Sequence, residues 1–250
     1  GEPAPPAALA GRDVVVHLAG EPVAQRWSAD VKRRIHDSRE AGTRNLVTGM
    51  RTADPSPGVL VSSSAVGYYG KHGDERVPES TPPGDDFLAG VCVAWEREAQ
   101  AASDIARVVV VRTGIVLDAS GGALEKMLPF FKAGAGGPVA GGRQYMPWVH
   151  LDDLVGIYLR AIDDASWSGP VNGSAPEPVT NKVFSKALGK VLGRPAFAPV
   201  PALGVKVLYG QMAEIVVEGQ RAVPERTLEL GYGFAYTDLE PALRSALGKR

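Results

Sequence analysis

Three hydroxyls in a row, Ser62, Ser63 and Ser64, follow the apolar run Val59-Leu60-Val61, and two phenols, Tyr68 and Tyr69, come shortly after. A hydroxyl held at the end of a buried strand can donate to a reacting oxygen, where charge grows in the transition state. A nearby phenol can pass a proton if its pKa is suitably tuned. Serines in such runs also satisfy loop backbone, so the run alone leaves both readings open. Other residues suit the close approach of a ligand. His17-Leu18-Ala19-Gly20 closes an earlier apolar run with two small residues, and Arg112-Thr113-Gly114 closes a later one. Small residues at a strand end let a ligand lie against the backbone, or simply turn the chain. With four scattered His and one Cys, the paired spacing of a zinc site is lacking, so no metal is expected. Cys92 reads as a small hydrophobe on a packed helix face. Lys32, Arg33 and Arg34 read as a solvated face, while Arg39 on the same helix is compatible with facing a phosphate.

These residues need a frame. Four short runs rich in β-branched residues stand at Asp13–Leu18, Gly58–Ser62, Arg107–Arg112 and Gly169–Gly173. Most are apolar throughout, as in strands buried on both faces of a parallel sheet. Helical spacing fills the intervals at Ser28–Met50, with Ser28 as N-cap, and at Asp85–Ser103. Strand, helix and strand at this spacing predict right-handed crossovers and an α/β, Rossmann-type doubly wound parallel sheet. Beyond Leu117 come a helix carrying Leu124, Met127, Leu128 and Phe131, a glycine-rich loop, and helices at Asp152–Ile162 and Thr180–Leu192. Asp152 is expected to cap the first of that pair. From Pro201 the chain reads as mainly helical. Leu203–Glu218 comes first, with an apolar stripe of Leu203, Val207, Leu208, Met212, Ile215 and Val216. A short helix follows Pro224, and the last is opened by Thr237-Asp238-Leu239-Glu240 at capping-box spacing. Residues 1–200 are assigned to the Rossmann-type domain and 201–250 to a helical part that closes the substrate side.

Composition narrows the function. The chain has 250 residues, with 27 Lys and Arg against 28 Asp and Glu, a net charge of −1. That balance gives no basic footprint for nucleic acid or anionic membrane. No apolar run approaches a membrane span, and no signal peptide opens the sequence, so a cytoplasmic protein acting on a small molecule is expected. The oligomeric state is not legible. Gly1 rather than Met stands first, followed by Glu-Pro-Ala-Pro-Pro.

The order His-Leu-Ala, then Ser-Ser-Ser-Ala with Tyr-Gly, then Val-Val-Arg112-Thr-Gly114-Ile-Val-Leu, then Trp148-Val-His150-Leu-Asp152-Asp153 resembles the extended short-chain dehydrogenase/reductases. Gly-Gly-Arg143-Gln-Tyr-Met-Pro-Trp and the tail from Gln220 to Phe234 resemble the atypical "epimerase family protein" (YfcH-like) group more closely. The resemblance implies a bound NAD(P), NADP ahead of NAD, and chemistry on a small carbonyl or hydroxyl compound. It implies Ser64 at the reacting oxygen and Tyr68 as the proton donor. It places His17, Leu18, Ala19, Gly20, Ser62, Ser63, Arg112, Thr113 and Gly114 along the cofactor, and Tyr69, Arg143 and Trp148 toward substrate.

Three departures qualify it. None of the glycines forms a GxxGxxG turn after a leading strand, so the family's first βαβ unit is expected to be missing. The Tyr-x-x-x-Lys positions fall on Leu88 and Cys92, which cannot supply the phenol and ammonium. An arginine that holds diphosphate in nucleotide-sugar epimerases is replaced by Met146. A non-catalytic dinucleotide-binding or regulatory protein, or a fragment unable to bind cofactor, therefore stands beside the enzyme reading.

Overall fold

Four parallel strands form the central sheet of the computed structural model, which describes residues 2–249 except the side chains of Leu208 and Tyr209. They are β1 (Val14–His17), β2 (Val59–Ala65), β3 (Arg107–Thr113) and β6 (Gly169–Gly173), side by side in that order. The register pairs Val14 with Val59, Val59 with Arg107 and Val109 with Gly169. Between β1 and β2 runs α1 (Ala29–Thr52), whose Ser28 hydroxyl accepts from Val31 N as an N-cap should. Between β2 and β3 runs α2 (Phe87–Gln100), capped by Asp86. The apolar runs of β2 and β3 follow from burial on both faces, whereas Val16 of the edge strand β1 is 42% exposed. Leu60, Val108 and Val110 point toward α1 and α2, packing on Val47, Met50 and Ala99. Val61, Val109 and Val111 point the other way and pack on Ile157, Ala161 and Trp167.

A second body of apolar packing lies past β3. The short strands β4 (Ile115–Leu117) and β5 (Trp148–His150) pair in parallel, with α3 (Gly122–Lys132) between them. Next come α4 (Leu151–Asp163) before β6, and α5 (Asn181–Leu192), capped by Thr180 and ended by Gly193 at φ +66°. Leu124, Leu128, Phe131, Phe184 and Leu188 share one cluster with Leu239, Ala242 and Leu243 of the last helix. Toward the C-terminus come α6 (Ala202–Tyr209), α7 (Ala213–Val217), α8 (Glu225–Glu229) and α9 (Leu239–Ala246), and a short helical turn at Pro6–Leu9 precedes β1.

Three local expectations are corrected. The helix foreseen over Leu203–Glu218 is broken at Gly210, whose φ of +60° ends α6 and starts a 3₁₀ turn at Gly210–Met212. Of its stripe, Met212 is buried, Val216 is partly buried, and Leu203, Val207 and Ile215 stand exposed; the Leu208 side chain lies outside the described residues. The start of α4 is capped by the His150 ring, whose Nδ1 accepts from Asp152 N at 3.1 Å. The capping box at Thr237 does not close. Asp238 is the N-cap with no side-chain bond, and Glu240 instead pairs with Lys190 at 2.7 Å.

Two buried carboxylates tie the C-terminal segment to the sheet and to α4. Glu79 accepts from Asn172 N on β6 at 2.9 Å and from Arg226 N at the start of α8 at 3.0 Å. Asp153 on α4 accepts from Ala235 N and Tyr236 N at 2.7 and 3.0 Å. Burial, and after it the Asp153 charge, push the pKa of the Tyr232 hydroxyl, bonded to the Asp153 carbonyl, up to about 12.

Candidate active site at the carboxyl edge of the sheet

A cleft of about 410 Å³ opens where β1, β2 and β3 end. In a parallel sheet every strand delivers its last residues to the same edge, where ligands of such folds bind. Leu18 and Gly20 arrive from β1, Ser63, Ser64 and Ala65 from β2, and Gly114 from β3. Helix α2 forms one wall with Leu88, Cys92 and Trp95, and Glu214, Ile215 and Gln220 cross from the C-terminal segment. Gly114 is required sterically, because a Cβ there would run into the Pro147 carbonyl. A larger depression of about 630 Å³, beside Glu79, Arg226 and Glu229, holds none of these strand-end residues. Its one buried carboxylate, Glu79, is committed to backbone, and the hydroxyls at the strand ends open into the other cleft.

The serine run divides by pleat. Ser64 is buried and lines the cleft, and its hydroxyl donates to Glu96 Oε1 at 2.7 Å. That carboxylate also takes Arg112 Nε and Nη2 at 2.9 and 2.8 Å. Ser63 lines the cleft too, and with Thr113 it hydrogen-bonds the Tyr158 hydroxyl, whose pKa burial raises. Ser62 is fully buried, with its hydroxyl 3.2 Å from the Ser63 carbonyl.

Several expected residues lie elsewhere. Arg112 sits inside the protein, its Nη1 donating to the Tyr69 hydroxyl and the Glu79 carbonyl, so it faces Glu96 rather than the cleft. Tyr69 is buried and donates to Asn172 Oδ1 at 2.7 Å; burial pushes its pKa up to about 12. Tyr68 lies outside the lining, with the Arg112 guanidinium 3.5 Å from its ring centroid. His17 is buried behind β1, 3.0 Å from Thr43 Oγ1, and burial lowers its pKa. Ala19 is exposed beside the cleft. Trp148 belongs to the core, its indole donating to the Glu177 carbonyl, and Arg143 is exposed on the glycine-rich loop. Neither reaches the cleft. Met146 is buried beside Asn181. Among the described residues, no group of three or more His, Cys, Asp or Glu side chains gathers as metal ligands do.

Two residues escaped the assignment of site residues. Glu96 is one, a carboxylate one turn beyond the Cys92 position, and nothing adjacent in the sequence shows that Ser64 and Arg112 meet on it. Arg39 was singled out for a phosphate but not included among the site residues. It lines the cleft, packs over Trp95 with 5.0 Å from guanidinium to ring centroid, and lies against Gly20. Cys92 is buried as expected, and desolvation pushes its thiol up to about 12.

A parallel sheet crossed by helices on both faces, with a serine-lined cleft at its carboxyl edge, defines a Rossmann-type protein of the extended short-chain dehydrogenase/reductase class. The chain belongs to the NAD dependent epimerase/dehydratase family, which matches residues 7–172. A family described as a domain of unknown function, DUF1731, matches residues 200–246. The "Epimerase family protein SDR39U1 homolog, chloroplastic" of Arabidopsis thaliana is 43% identical over 95% of this chain and 69% of its own length. The crystal structure of human epimerase family protein SDR39U1 with NADPH superposes with a TM-score of 0.92 at 36% identity, covering 96% of this chain and 83% of that one. MoeE5 in complex with UDP-glucose and NAD, at 19% identity and a TM-score of 0.78 over 97% of this chain and 80% of its own, shows the shared fold alone.

Proposed function

We propose that the strand-end cleft binds a nicotinamide dinucleotide, NADP(H) ahead of NAD(H), and that the protein acts on a small carbonyl or hydroxyl compound beside it. The observation that carries this is the convergence of Leu18, Gly20, Ser63, Ser64 and Gly114 on one cleft. The residues present fit such a group along this edge: Gly20 and Gly114 leave the backbone open, and Ser63 and Ser64 bring hydroxyls to it. The preference for NADP(H) is supported by the human relative solved with NADPH. When bound, the cofactor supplies or accepts hydride, and the protein contributes orientation and proton handling.

Ser64 is the residue placed to meet the reacting oxygen. Its hydroxyl donates to Glu96 in this structure; to stabilise the reacting oxygen it would turn that proton into the cleft, while Glu96 stays bonded to Arg112. A second reading, a dinucleotide-binding protein without catalysis, is favoured by a specific observation. Leu88 and Cys92 stand at the positions of the proton-transfer pair, and neither Tyr68 nor Tyr69 lines the cleft. Cytoplasmic location remains part of the proposal; no helix of the described residues is long and apolar enough to cross a membrane.

Titration of NADPH and NADH, followed by nicotinamide fluorescence, tests binding. Saturable binding with NADPH the tighter is expected, and absence of binding by both overturns the reading. A panel of small carbonyl compounds with NADPH then separates the two readings, because turnover of any compound excludes the non-catalytic one.

A further inference from the structure

Away from the strand ends the cleft changes character. On α2, Cys92 lies against Ser64, and Leu88 stands one turn nearer the helix start. Phe87 and Val91 continue that wall, and Val23 and Trp27 join it from the segment between β1 and α1. These last four belong to one apolar cluster, with the Trp27 and Phe87 rings edge to face at 5.2 Å. Val91 is buried, but Trp27, Phe87 and Leu88 are only partly so, and Ile215 of α7 is 42% exposed where it lines the cleft. Apolar surface left open inside a cleft is surface that a ligand can cover.

The charges around this wall suit an uncharged body rather than a diphosphate. Asp86 at the start of α2, and Glu214 and Glu218 from the C-terminal segment, all line the cleft. Lys71 is committed to Glu218 at 2.8 Å, and Arg39 is held against Gly20 and the Trp95 ring. Lys32, whose Nζ lies 4.8 Å from the Phe87 centroid, stands outside the lining. Met146, at the position of the diphosphate arginine of nucleotide-sugar epimerases, is apolar and buried. A diphosphate laid on this wall would face three carboxylates, and like charges brought together oppose binding. An alkyl or aryl group would instead cover Trp27, Phe87, Leu88 and Ile215 and release the water against them.

We propose that this wall is the substrate subsite, and that it takes an uncharged carbonyl or hydroxyl compound with an alkyl or aryl body, not a nucleotide sugar. The carbonyl or hydroxyl in that class rests on the function proposed above; the apolar subsite rests on the wall alone. The apolar body lies along Leu88, Phe87, Trp27 and Ile215, which leaves its polar end toward Ser64.

The probes are butanol, hexanol and octanol, with UDP-glucose as the charged comparison, titrated by calorimetry against the full chain with and without saturating NADPH. Affinity is expected to rise about threefold to fourfold for each added methylene, the gain from taking it out of water. UDP-glucose is expected to bind more weakly than octanol. Ile215→Asp sets a charge in the lining from an exposed position and is expected to weaken octanol on the order of tenfold. Phe87→Ala is expected to weaken it too and to flatten the series, while circular dichroism reports whether each variant is folded. A flat series in the wild type, UDP-glucose bound as tightly as octanol, or unchanged octanol affinity in folded Ile215→Asp overturns the subsite. Should Phe87→Ala fail to fold, the wild-type series and Ile215→Asp decide it. A graded series lost in Ile215→Asp, in a chain that binds no NADPH, keeps the apolar subsite and overturns the dinucleotide reading. A flat series in a chain that binds NADPH does the reverse.

Discussion

The Ser64 hydroxyl donates to Glu96 Oε1 at 2.7 Å, and the same carboxylate grips Arg112 from Nε and Nη2. One acid thus serves a serine at the cleft and an arginine whose side chain is only 4% exposed. Glu96→Ala leaves that guanidinium charged, dry and without its counter-ion. Loss of one member of a buried pair costs about 3–5 kcal/mol, and urea unfolding of the variant should show it. A loss below 1 kcal/mol would mean that water reaches Arg112.

Ser64 and the two tyrosines should separate in kinetics and stability. On any compound that turns over, Ser64→Ala is expected to lower kcat by about 10²–10³, the cost of losing one group at the reacting oxygen. Tyr68→Phe is expected to keep kcat within a few-fold, since its hydroxyl makes no hydrogen bond and lies outside the lining. Tyr69→Phe should instead lower stability by about 1–3 kcal/mol, because Asn172 and Arg112 lose a buried partner. A large kcat loss in Tyr68→Phe with Ser64→Ala unaffected would reverse these roles.

Cys92 should be chemically silent while the protein is folded. Reagents attack the thiolate, and burial pushes this thiol up to about 12. At pH 8 an aromatic disulfide reagent is expected to titrate no thiol in the native protein and one in denaturant. Fast labelling of the native state would show that α2 opens toward the cleft.

His17 gives the fold an acid-sensitive point. Burial lowers its folded pKa below the ordinary value of 6.5, so the native state holds the ring neutral. The unfolded chain binds that proton more readily, and stability is therefore lost as pH falls below about 6.5, levelling off beneath the folded pKa. Thermal unfolding from pH 7.5 to 5 should show a smaller drop in Tm for His17→Asn than for the wild type.

The sheet was legible because β2 and β3 are buried on both faces, and Leu60 and Val61 serve opposite cores without any polar interruption. The helix starts at Ser28 and Thr180 were equally plain, since their caps depend on neighbours three residues away. What the chain hid were partners distant in sequence. Arg112 read as a cofactor contact because its position at a strand end is visible, whereas the Glu96 that turns it inward is not adjacent to it. Trp148 read as a substrate contact because it sits in a motif, yet the cluster that encloses it draws on α3, α5 and α9. Arg39 carried only its charge in the sequence; its stacking on Trp95 is a product of packing α1 on α2.

Glu79 joins two separately matched regions of the chain. It lies within residues 7–172, matched by one family, and caps backbone at Arg226 within residues 200–246, matched by another. Glu79→Ala strips acceptors from Asn172, Arg226 and Thr227. Each buried donor left unpaired costs about 1–3 kcal/mol, which should appear in urea unfolding and as faster hydrogen exchange at Arg226 and Thr227. The two matched regions are therefore coupled in stability through this side chain. A chimera that exchanges residues 200–246 is expected to keep its stability only while a carboxylate at position 79 accepts from the incoming backbone.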